Sequence, residues 1–368
     1  MSNVGIPQYN FRDYSSTSGG GGGGGGGGSV LHPSPVPSTV SYHVPAHREL
    51  LDVGIFKDTI LPSLQLHAPL ALVAYGVGRA TDSVEAKDWL WPIAPVVNGW
   101  WSAVGRKVYR RGLTFSQAFG TLSRPERLLL TGVTLWGGRL FYRVSSRSIK
   151  RRRQGRGTDD PRYEAEKADE GFWNKALFAV FLPEALIQTV ISLPVTAPFH
   201  HQGAVLTGYH PAVQALAVGL FCAGFTLEVL ADVQLEKFKG SARDSTSVCK
   251  EGVWSLVRHP NYLGDALVHL SFPLLLYGSD MLAPVEVLGA LANYVFLRHI
   301  GGDKETERHQ ARRYSESNPA KFADFQRHRE THNSFWPKSD VLANQWLWIV
   351  VGAGAAGAVV EQAFNYVF

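Results

Sequence analysis

The sequence contains very little cysteine, which argues against two common ways of stabilising a fold. Cys222 and Cys249 are the only cysteines in 368 residues, too few for the disulfide framework of a small secreted domain. Neither has cysteine or histidine neighbours at the spacing of a structural zinc site. We therefore expect neither disulfide bonds nor a metal ion to stabilise this protein.

The N-terminal region lacks the apolar residues that a folded segment must bury. Residues 1–48 contain an unbroken glycine run from Gly19 to Gly28, followed by several prolines. This composition predicts a disordered leader. The leader has neither the basic start and apolar centre of a secretory signal nor the many arginines of a transit peptide. We expect the membrane domain, residues 49–368, to begin with a span that acts as the insertion signal.

Apolar blocks are abundant in the rest of the chain. A hydrocarbon core needs about 20 mostly apolar residues per helix, and eight blocks approach this length. They lie near residues 53–75, 89–104, 128–142, 173–195, 212–231, 262–277, 283–297 and 345–367. Four of these blocks are short enough to be re-entrant or packed inside the bundle. The sequence therefore predicts an all-α fold, a polytopic membrane helical bundle with six to eight transmembrane helices.

Charged loops predict the orientation of this bundle. Residues 278–281 alone join the sixth and seventh blocks, so Arg258 and Arg298 must emerge on the same side. Counting back along the chain places the basic loop of residues 143–156 on that side, and the positive-inside rule makes it cytoplasmic. The basic loop of residues 105–127 disagrees, because alternation places it on the opposite side. Either the second or third block does not span, or this loop is an exception.

The C-terminal block contains a literal match to the dinucleotide-binding pattern G-x-G-x-x-G. The match runs from Gly352 through Gly354 to Gly357, but no strand precedes it and it lies within an apolar block. Small residues at this spacing let membrane helices approach closely. We therefore interpret the glycines as a helix-packing surface, either within one chain or between two, and the oligomeric state stays open.

Ionisable groups inside apolar blocks are costly in lipid and are therefore candidates for a functional site. On the sixth block, Tyr262, Asp265 and His269 share one helix face at i, i+3 and i+7. Pro260 suits the first turn of that helix, and Arg258 beside a helix start would attract a phosphate or carboxylate. This segment predicts an anion clamp at its mouth and a proton donor deeper inside. The alternative is that its basic residues only anchor the helix at the headgroups.

Two further polar pairs lie on the neighbouring blocks. Glu228 and Asp232 stand at i and i+4 on the fifth block, close to the face of Lys239, and Glu184 and Gln188 stand at i and i+4 on the fourth. Each pair could line a substrate pocket or tie helices together. The position of the first pair on the side of the anion clamp favours a site, whereas the second pair leaves both interpretations open.

The segment Arg258-His-Pro-Asn-Tyr-Leu-Gly-Asp265 resembles a domain shared by three groups of membrane enzymes. These are steroid 5-alpha-reductase-like proteins, sterol C14/C7 reductases and isoprenylcysteine carboxyl methyltransferases. With Trp254, the segment is most similar to the sterol-reductase version, because Asp265 stands where other branches carry glutamate. Residues 232–239 are similar to the stretch that precedes this motif in the family, although Leu235 replaces its usual lysine.

Other segments resemble the poorly characterised branch called DUF1295. They are residues 159–163 and 301–305, with Tyr314 and Trp336-Pro337 further along. The resemblance to the superfamily covers roughly residues 128–337. It implies a catalytic and cofactor-binding region at about residues 128–340.

The resemblance implies NADPH as the cofactor and a lipid, steroid or sterol-like substrate whose C=C bond is reduced. It implies these cofactor contacts: Lys239, Arg258, His259, Asn261 and Tyr262, with Asp160, Arg162, Tyr163, Asp232, Gln234, Asp303 and Glu307 as neighbours. Tyr262 or Asp265 would deliver the proton. The candidates for the substrate pocket are Glu184, Gln188, Glu228 and His269. A lipid-soluble substrate would enter sideways between helices, and family members imply the endoplasmic reticulum as the location.

Two other functions fit the same residues. A helix start with an arginine suits the carboxylate of S-adenosylmethionine as well as a phosphate, so a membrane methyltransferase is the main alternative. A non-catalytic scaffold is the second, and Leu235 is mild support for it. The basic run of residues 150–153 has no aromatic platform or reader motif beside it, so we expect no nucleic-acid partner.

Overall fold

The computed structural model describes residues 56–367 except residues 156, 158, 161–162, 164–166 and 201–209. The predicted leader and Arg162 lie outside the described residues. The part of the chain that the structure describes is almost entirely helical and contains no strand. The predicted all-α class is confirmed.

The N-terminal half of the described chain forms eight helices, two pairs of which are continuous. π-Helical turns at Trp101–Gly105 and Leu177–Phe181 join α2 to α3 and α6 to α7. The bounds are α1 Leu61–Thr81, α2 Ala86–Trp100, α3 Arg106–Arg111, α4 Phe115–Gly120, α5 Arg124–Arg153, α6 Phe172–Ala176, α7 Leu182–Ile191 and α8 Leu193–Thr196.

The C-terminal half begins with the long helix that carries most of the packing. The bounds are α9 Pro211–Lys239, α10 Pro260–Gly278, α11 Pro284–Val295, α12 Asp303–Ser317, α13 Pro319–Thr331 and α14 Gln345–Val367. Proline opens four of these six helices, because its fixed φ suits a first turn and its missing N–H would have no partner there. Pro260 therefore starts α10, as its position in the sequence predicts.

Within the described residues, all eight apolar blocks fall on helices. Three segments are long and apolar enough to cross a membrane: Phe172–Ile191, Pro211–Lys239 and Gln345–Phe364, of 20, 29 and 20 residues. The other five blocks lie on helices that are shorter or more polar. The chain thus has the helical architecture of a membrane-associated protein, with three candidate spans.

Hydrogen bonds and ion pairs show which helix ends lie together. At one end, Arg143 of α5 pairs with Glu236 of α9 at 2.8 Å, so these two helices run parallel. At the other end, Arg124 of α5 pairs with Glu361 of α14 at 2.7 Å. The N–H of His210 before α9 donates to the carbonyl that ends α10. We call the end with the starts of α10 and α14 the mouth end, and the opposite end the far end.

Glycines bring α9 close to a neighbour on each side. A Cβ atom on Gly264 of α10 would lie 2.6 Å from the carbonyl oxygen of Gly224 on α9. A Cβ atom on Gly354 of α14 would lie 2.7 Å from the carbonyl oxygen of Gly219. These distances leave no room for a side chain. Gly354 and Gly357 thus pack against α9 within this chain, as the helix-packing interpretation predicts, whereas nothing lies within 4 Å of a Cβ atom added to Gly352.

Candidate functional site

A buried group of charged side chains lies where α5, α9, α10 and α11 meet. The Arg139 guanidinium of α5 donates to Glu228 Oε2 at 2.7 Å and to the Glu228 carbonyl oxygen at 2.9 Å. It also pairs with the Asp232 carboxylate one turn further along α9. We call this group the deep cluster; it comprises Arg139, Glu228, Asp232, Asp265, His269 and Asn293.

Asp265 is held in the deep cluster from two sides. Its Oδ1 accepts a hydrogen bond from Asn293 Nδ2 at 3.0 Å and lies 2.9 Å from His269 Nδ1. The His269 ring in turn meets the Trp136 ring edge to face, with centroids 4.6 Å apart. Asp265 and His269 are 8% and 4% exposed. The i, i+4 spacing on α10 thus fixes a carboxyl group against an imidazole inside the bundle.

The contact between α9 and α10 brings Glu228 next to this pair. A Cβ atom on Gly264 would lie 2.8 Å from Glu228 Cγ, and the Glu228 and Asp265 carboxyl groups are close enough for their charges to interact. The Trp136 indole lies near Glu228, yet neither its Nε1 nor Glu228 Oε1 has a partner of good hydrogen-bond geometry in the described chain. These two atoms are thus a buried donor and a buried acceptor that lie near each other, and a small polar group can bind to either of them.

A second group, the mouth cluster, surrounds the start of α10. It comprises Arg258, His259, Tyr262, Thr306 and Glu307. Arg258 binds the Glu307 carboxylate with two hydrogen bonds, of 2.7 and 3.0 Å, and His259 Nε2 lies 3.0 Å from the same carboxylate. The Tyr262 hydroxyl lies 3.0 Å from Thr306 Oγ1, and its ring stacks on His259. Helix α12 is thereby fastened to α10.

Burial and charge act in opposite directions on the Glu307 carboxyl group. Burial alone would raise its pKa, but the hydrogen bonds from His259 and Arg258 and their charges lower the pKa to about 2. Burial also lowers the pKa of the His259 imidazole, against the effect of its bond to Glu307. Glu307 is therefore ionised at neutral pH, and Arg258 supplies a permanent positive charge beside it.

The predicted anion clamp is occupied by the protein's own groups. Besides binding Glu307, Arg258 donates through Nη1 to the carbonyl oxygens of Arg329 and His332. The backbone N–H groups of Arg258 and His259 donate to the residue 333 and 334 carbonyls at 3.0 Å each. An external anion can bind the Arg258 guanidinium only by displacing Glu307. The structure thus differs from the open helix start that the sequence predicts.

The other residues nominated at this end have varied surroundings. Gln234 accepts from the Val253 N–H at 2.8 Å, and Asp303 pairs with Arg298. Asn261 Oδ1 is buried and has no partner among the described residues. Lys239 is exposed at the end of α9. Gln234 and Asp303 therefore hold loops in place, whereas the two remaining residues are available to a ligand.

Glu184 and Gln188 belong to a different group from the deep cluster. Gln188 Nε2 donates to Glu184 Oε1 at 3.4 Å, and Glu184 pairs with Lys87 at 3.1 Å. Lys87 also lies over the Tyr163 ring, whose hydroxyl donates to Asp88 at 2.7 Å. The structure thus places these two predicted pocket residues with Tyr163, and places Glu228 with His269.

Asp160 lies on the mouth side of α5. Its carboxylate is 3.8 Å from Arg147 and 4.0 Å from Arg151. These contacts connect the segment after α5 back to the basic end of that helix. The contacts of Asp160 with Arg147 and Arg151 thus lie at the basic end of α5.

Sequence reasoning misses two members of the deep cluster. Arg139 is an arginine inside the third apolar block, so the same criterion that selected Glu228 would have selected it. Asn293 lies in the seventh block and carries no charge, and nothing in its local pattern distinguishes it. Its role depends on the tertiary contact between α10 and α11.

The chain is similar to one curated protein from yeast. It is 28% identical over 227 residues to an uncharacterized protein of Schizosaccharomyces pombe, and the match covers 56% of this chain and 61% of that protein. The chain thus spans less than two thirds of this relative's length. No solved structure matches the chain. A family model described as a protein of unknown function (DUF1295) matches residues 74–329, more than half of the chain. This chain therefore belongs to the DUF1295 family.

Proposed function

We propose that this protein is a membrane-embedded NADPH-dependent reductase of a C=C bond in a lipid, steroid or sterol-like substrate. The observation that carries the proposal is the deep cluster, which holds acidic groups and an imidazole among apolar helices. Ionisable groups in such surroundings are costly and usually serve a function. The resemblance of residues 258–265 to steroid 5-alpha-reductase-like and sterol reductases supplies the reaction class.

Saturating a C=C bond requires a hydride on one carbon and a proton on the other. NADPH, when bound, supplies the hydride. The Glu228 and Asp265 carboxyl groups lie close together inside the bundle, so either of them can serve as the acid that supplies the proton. Asp265 is the better placed donor, because the Tyr262 hydroxyl contacts Thr306 at the mouth. Trp136 Nε1 and Glu228 Oε1 can bind a polar group of the substrate.

The positive charge of the mouth end suits an anionic dinucleotide. Arg258, Arg298 and Arg329 lie there, and Lys239 has no ion-pair partner in the part of the chain that the structure describes. Asn261 Oδ1, buried and without a partner among the described residues, can accept a hydrogen bond from an amide. The residue that competes with the phosphates is Glu307.

Ligand binding to detergent-purified protein tests the cofactor. We expect NADPH to bind, S-adenosylmethionine not to bind, and Arg258→Ala to abolish NADPH binding. Glu307→Gln should strengthen NADPH binding, because the amide releases the guanidinium. Binding of S-adenosylmethionine but not NADPH would identify the protein as a methyltransferase. If the folded protein binds neither cofactor, a scaffold role is favoured.

A methyltransferase is the second candidate, and the Arg258–His259–Pro260 start of α10 is the observation that favours it. The carboxylate of S-adenosylmethionine suits this arginine as well as a phosphate does. Methyl transfer to a carboxylate needs no proton donor, so it leaves the deep cluster without a role. For this reason we rank reduction first.

We further propose that six to eight helices cross the membrane, with the mouth end cytoplasmic. The basic run of residues 150–153 lies at the mouth end, in agreement with the positive-inside rule. The endoplasmic reticulum is the expected location, because lipid and sterol reduction takes place there. Labelling of single cysteines introduced at each helix end, from each side of the membrane, tests both statements.

A further inference from the structure

A compact hairpin closes the far end of the bundle between α2 and α5. Helix α2 continues through Trp101–Gly105 into α3, and the chain turns at Gly112, which has a φ of +65°. Thr114 then starts α4 with a capping box formed with Gln117. We call residues 101–123 the far-end hairpin.

The far-end hairpin has a fixed shape. The Trp100, Phe115 and Phe119 rings stack with centroids about 6 Å apart. Lys107 Nζ donates to Thr121 Oγ1 at 2.8 Å, and the Arg127 guanidinium lies 5.4 Å from the centre of the Phe119 ring. These contacts hold α3 and α4 side by side against the start of α5, so their outer surface is preformed.

That outer surface is basic and aromatic. The sequence has no acidic residue between Asp88 and Glu126. Arg110 and Arg111 are exposed, and neither has an ion-pair or hydrogen-bond partner for its guanidinium in the described chain. Tyr109 and Phe115 beside them are 79% and 60% exposed.

The position of this surface conflicts with the positive-inside rule. Residues 150–153 at the mouth end and the far-end hairpin lie at opposite ends of α5, yet both are basic. The rule accounts for one basic end only. If α2 and α5 both cross the membrane, as in the proposed bundle of six to eight spans, a second basic end needs a different explanation.

We infer that the far-end hairpin binds acidic phospholipid headgroups in the membrane leaflet at that end. Tyrosine and phenylalanine rings suit the boundary between headgroups and acyl chains, and guanidinium groups bind phosphate with two parallel hydrogen bonds. Basic residues next to a bilayer are attracted to acidic lipids. The inference rests on the proposed membrane insertion, and it holds whether or not the protein is a reductase.

Nanodiscs containing the full-length protein test this inference. One set contains phosphatidylcholine alone, and another adds a minor fraction of phosphatidylglycerol. We expect the wild-type protein to retain phosphatidylglycerol in native mass spectra and to unfold at a higher temperature when it is present. The double variant Arg110→Gln/Arg111→Gln should bind phosphatidylglycerol on the order of tenfold more weakly.

Two matched variants make the test specific. Arg110→Lys/Arg111→Lys keeps both charges and should keep most of the lipid. Lys237→Gln/Arg312→Gln removes two exposed charges at the mouth end and should leave lipid retention at the far end unchanged. Equal lipid loss in this control and in the double glutamine variant would overturn the inference. So would wild-type retention that does not fall as salt is raised, a result that needs no variant to fold.

Discussion

At the mouth, one carboxylate, Glu307, is contacted by two arginines and a histidine, whereas in the deep cluster one guanidinium holds two carboxyl groups. The same kinds of side chain thus leave an excess of positive charge at one level and an excess of acid at the other. An anion fits the first arrangement, and a proton donor fits the second. Under the function that we propose, the anionic cofactor would bind at the mouth and the proton donor would lie in the deep cluster.

Arg139→Ala should break the deep cluster and have the largest effect. Removing this guanidinium leaves Glu228 buried without its cation, which costs about 3–5 kcal/mol of the free energy of unfolding, whereas Asp232 keeps its contact with Arg143. Lys150→Ala is the matched control, because its partner Glu236 is half exposed and such pairs contribute little. Chemical unfolding in detergent measures both variants. Equal stability of the two variants would show that the Glu228 carboxylate does not need the Arg139 guanidinium.

Glu307→Gln should remove the charge of the mouth cluster and cost up to about 3 kcal/mol at neutral pH. The folded-state pKa of Glu307 is lowered from 4.5 to about 2, so its stabilisation is present above pH 4.5 and is lost as pH falls towards about 2. Unfolding temperatures measured across this range should fall more steeply for the wild type than for the variant. Parallel curves would show that Glu307 does not stabilise the fold.

Gly264→Ala should separate α9 from α10 at the level of the deep cluster. The added methyl group would lie 2.6 Å from the Gly224 carbonyl oxygen, and overpacking of this kind costs about 1–3 kcal/mol. Reductase turnover should fall as well, because Glu228 has to move. Gly76→Ala is the control, since nothing lies within 4 Å of its added Cβ. A Gly264→Ala variant with unchanged stability and turnover would contradict the close packing.

Tyr262→Phe should have the smallest effect and should distinguish the role of the mouth cluster from that of the deep cluster. The lost hydroxyl contacts Thr306, so the expected cost is about 1 kcal/mol, and turnover of an enone lipid should persist. Asp265→Asn should instead lose turnover while NADPH still binds. If the phenylalanine variant is inactive and the asparagine variant active, the proton donor is Tyr262.

The local sequence pattern predicts much of this fold. The length of an apolar block and a proline at the start of a helix can both be read from residues that are close together in the sequence. Pro260 and Pro284 mark helix starts, and the short connection after Gly278 is enough to indicate the α10–α11 hairpin. The lengths of the spans are less predictable. Helix α5 reaches 30 residues because it continues through a basic segment that no apolar scan includes.

The sequence predicts most of the residues of the candidate site, but it does not predict which of them contact one another. Asp265 and His269 are joined through one helix, so their spacing predicts the contact. Glu184 and Glu228 lie on different helices, and only the tertiary packing assigns one to Lys87 and the other to Arg139. The pairing of Arg258 with Glu307 spans 49 positions, and no local pattern indicates it.

The glycine contacts of α9 also restrict where a lipid-soluble substrate of the proposed reductase can enter the helical bundle. Backbone meets backbone at Gly224 with α10 and at Gly219 with α14, so both flanks of α9 are sealed where these helices cross. A molecule dissolved in the bilayer cannot pass between α9 and either neighbouring helix at these crossings without separating the two main chains. If the protein is the reductase that we propose, its substrate must reach Asp265 along α5 or α11, and bulky residues placed on those helices should block a sterol before they alter the proton donor.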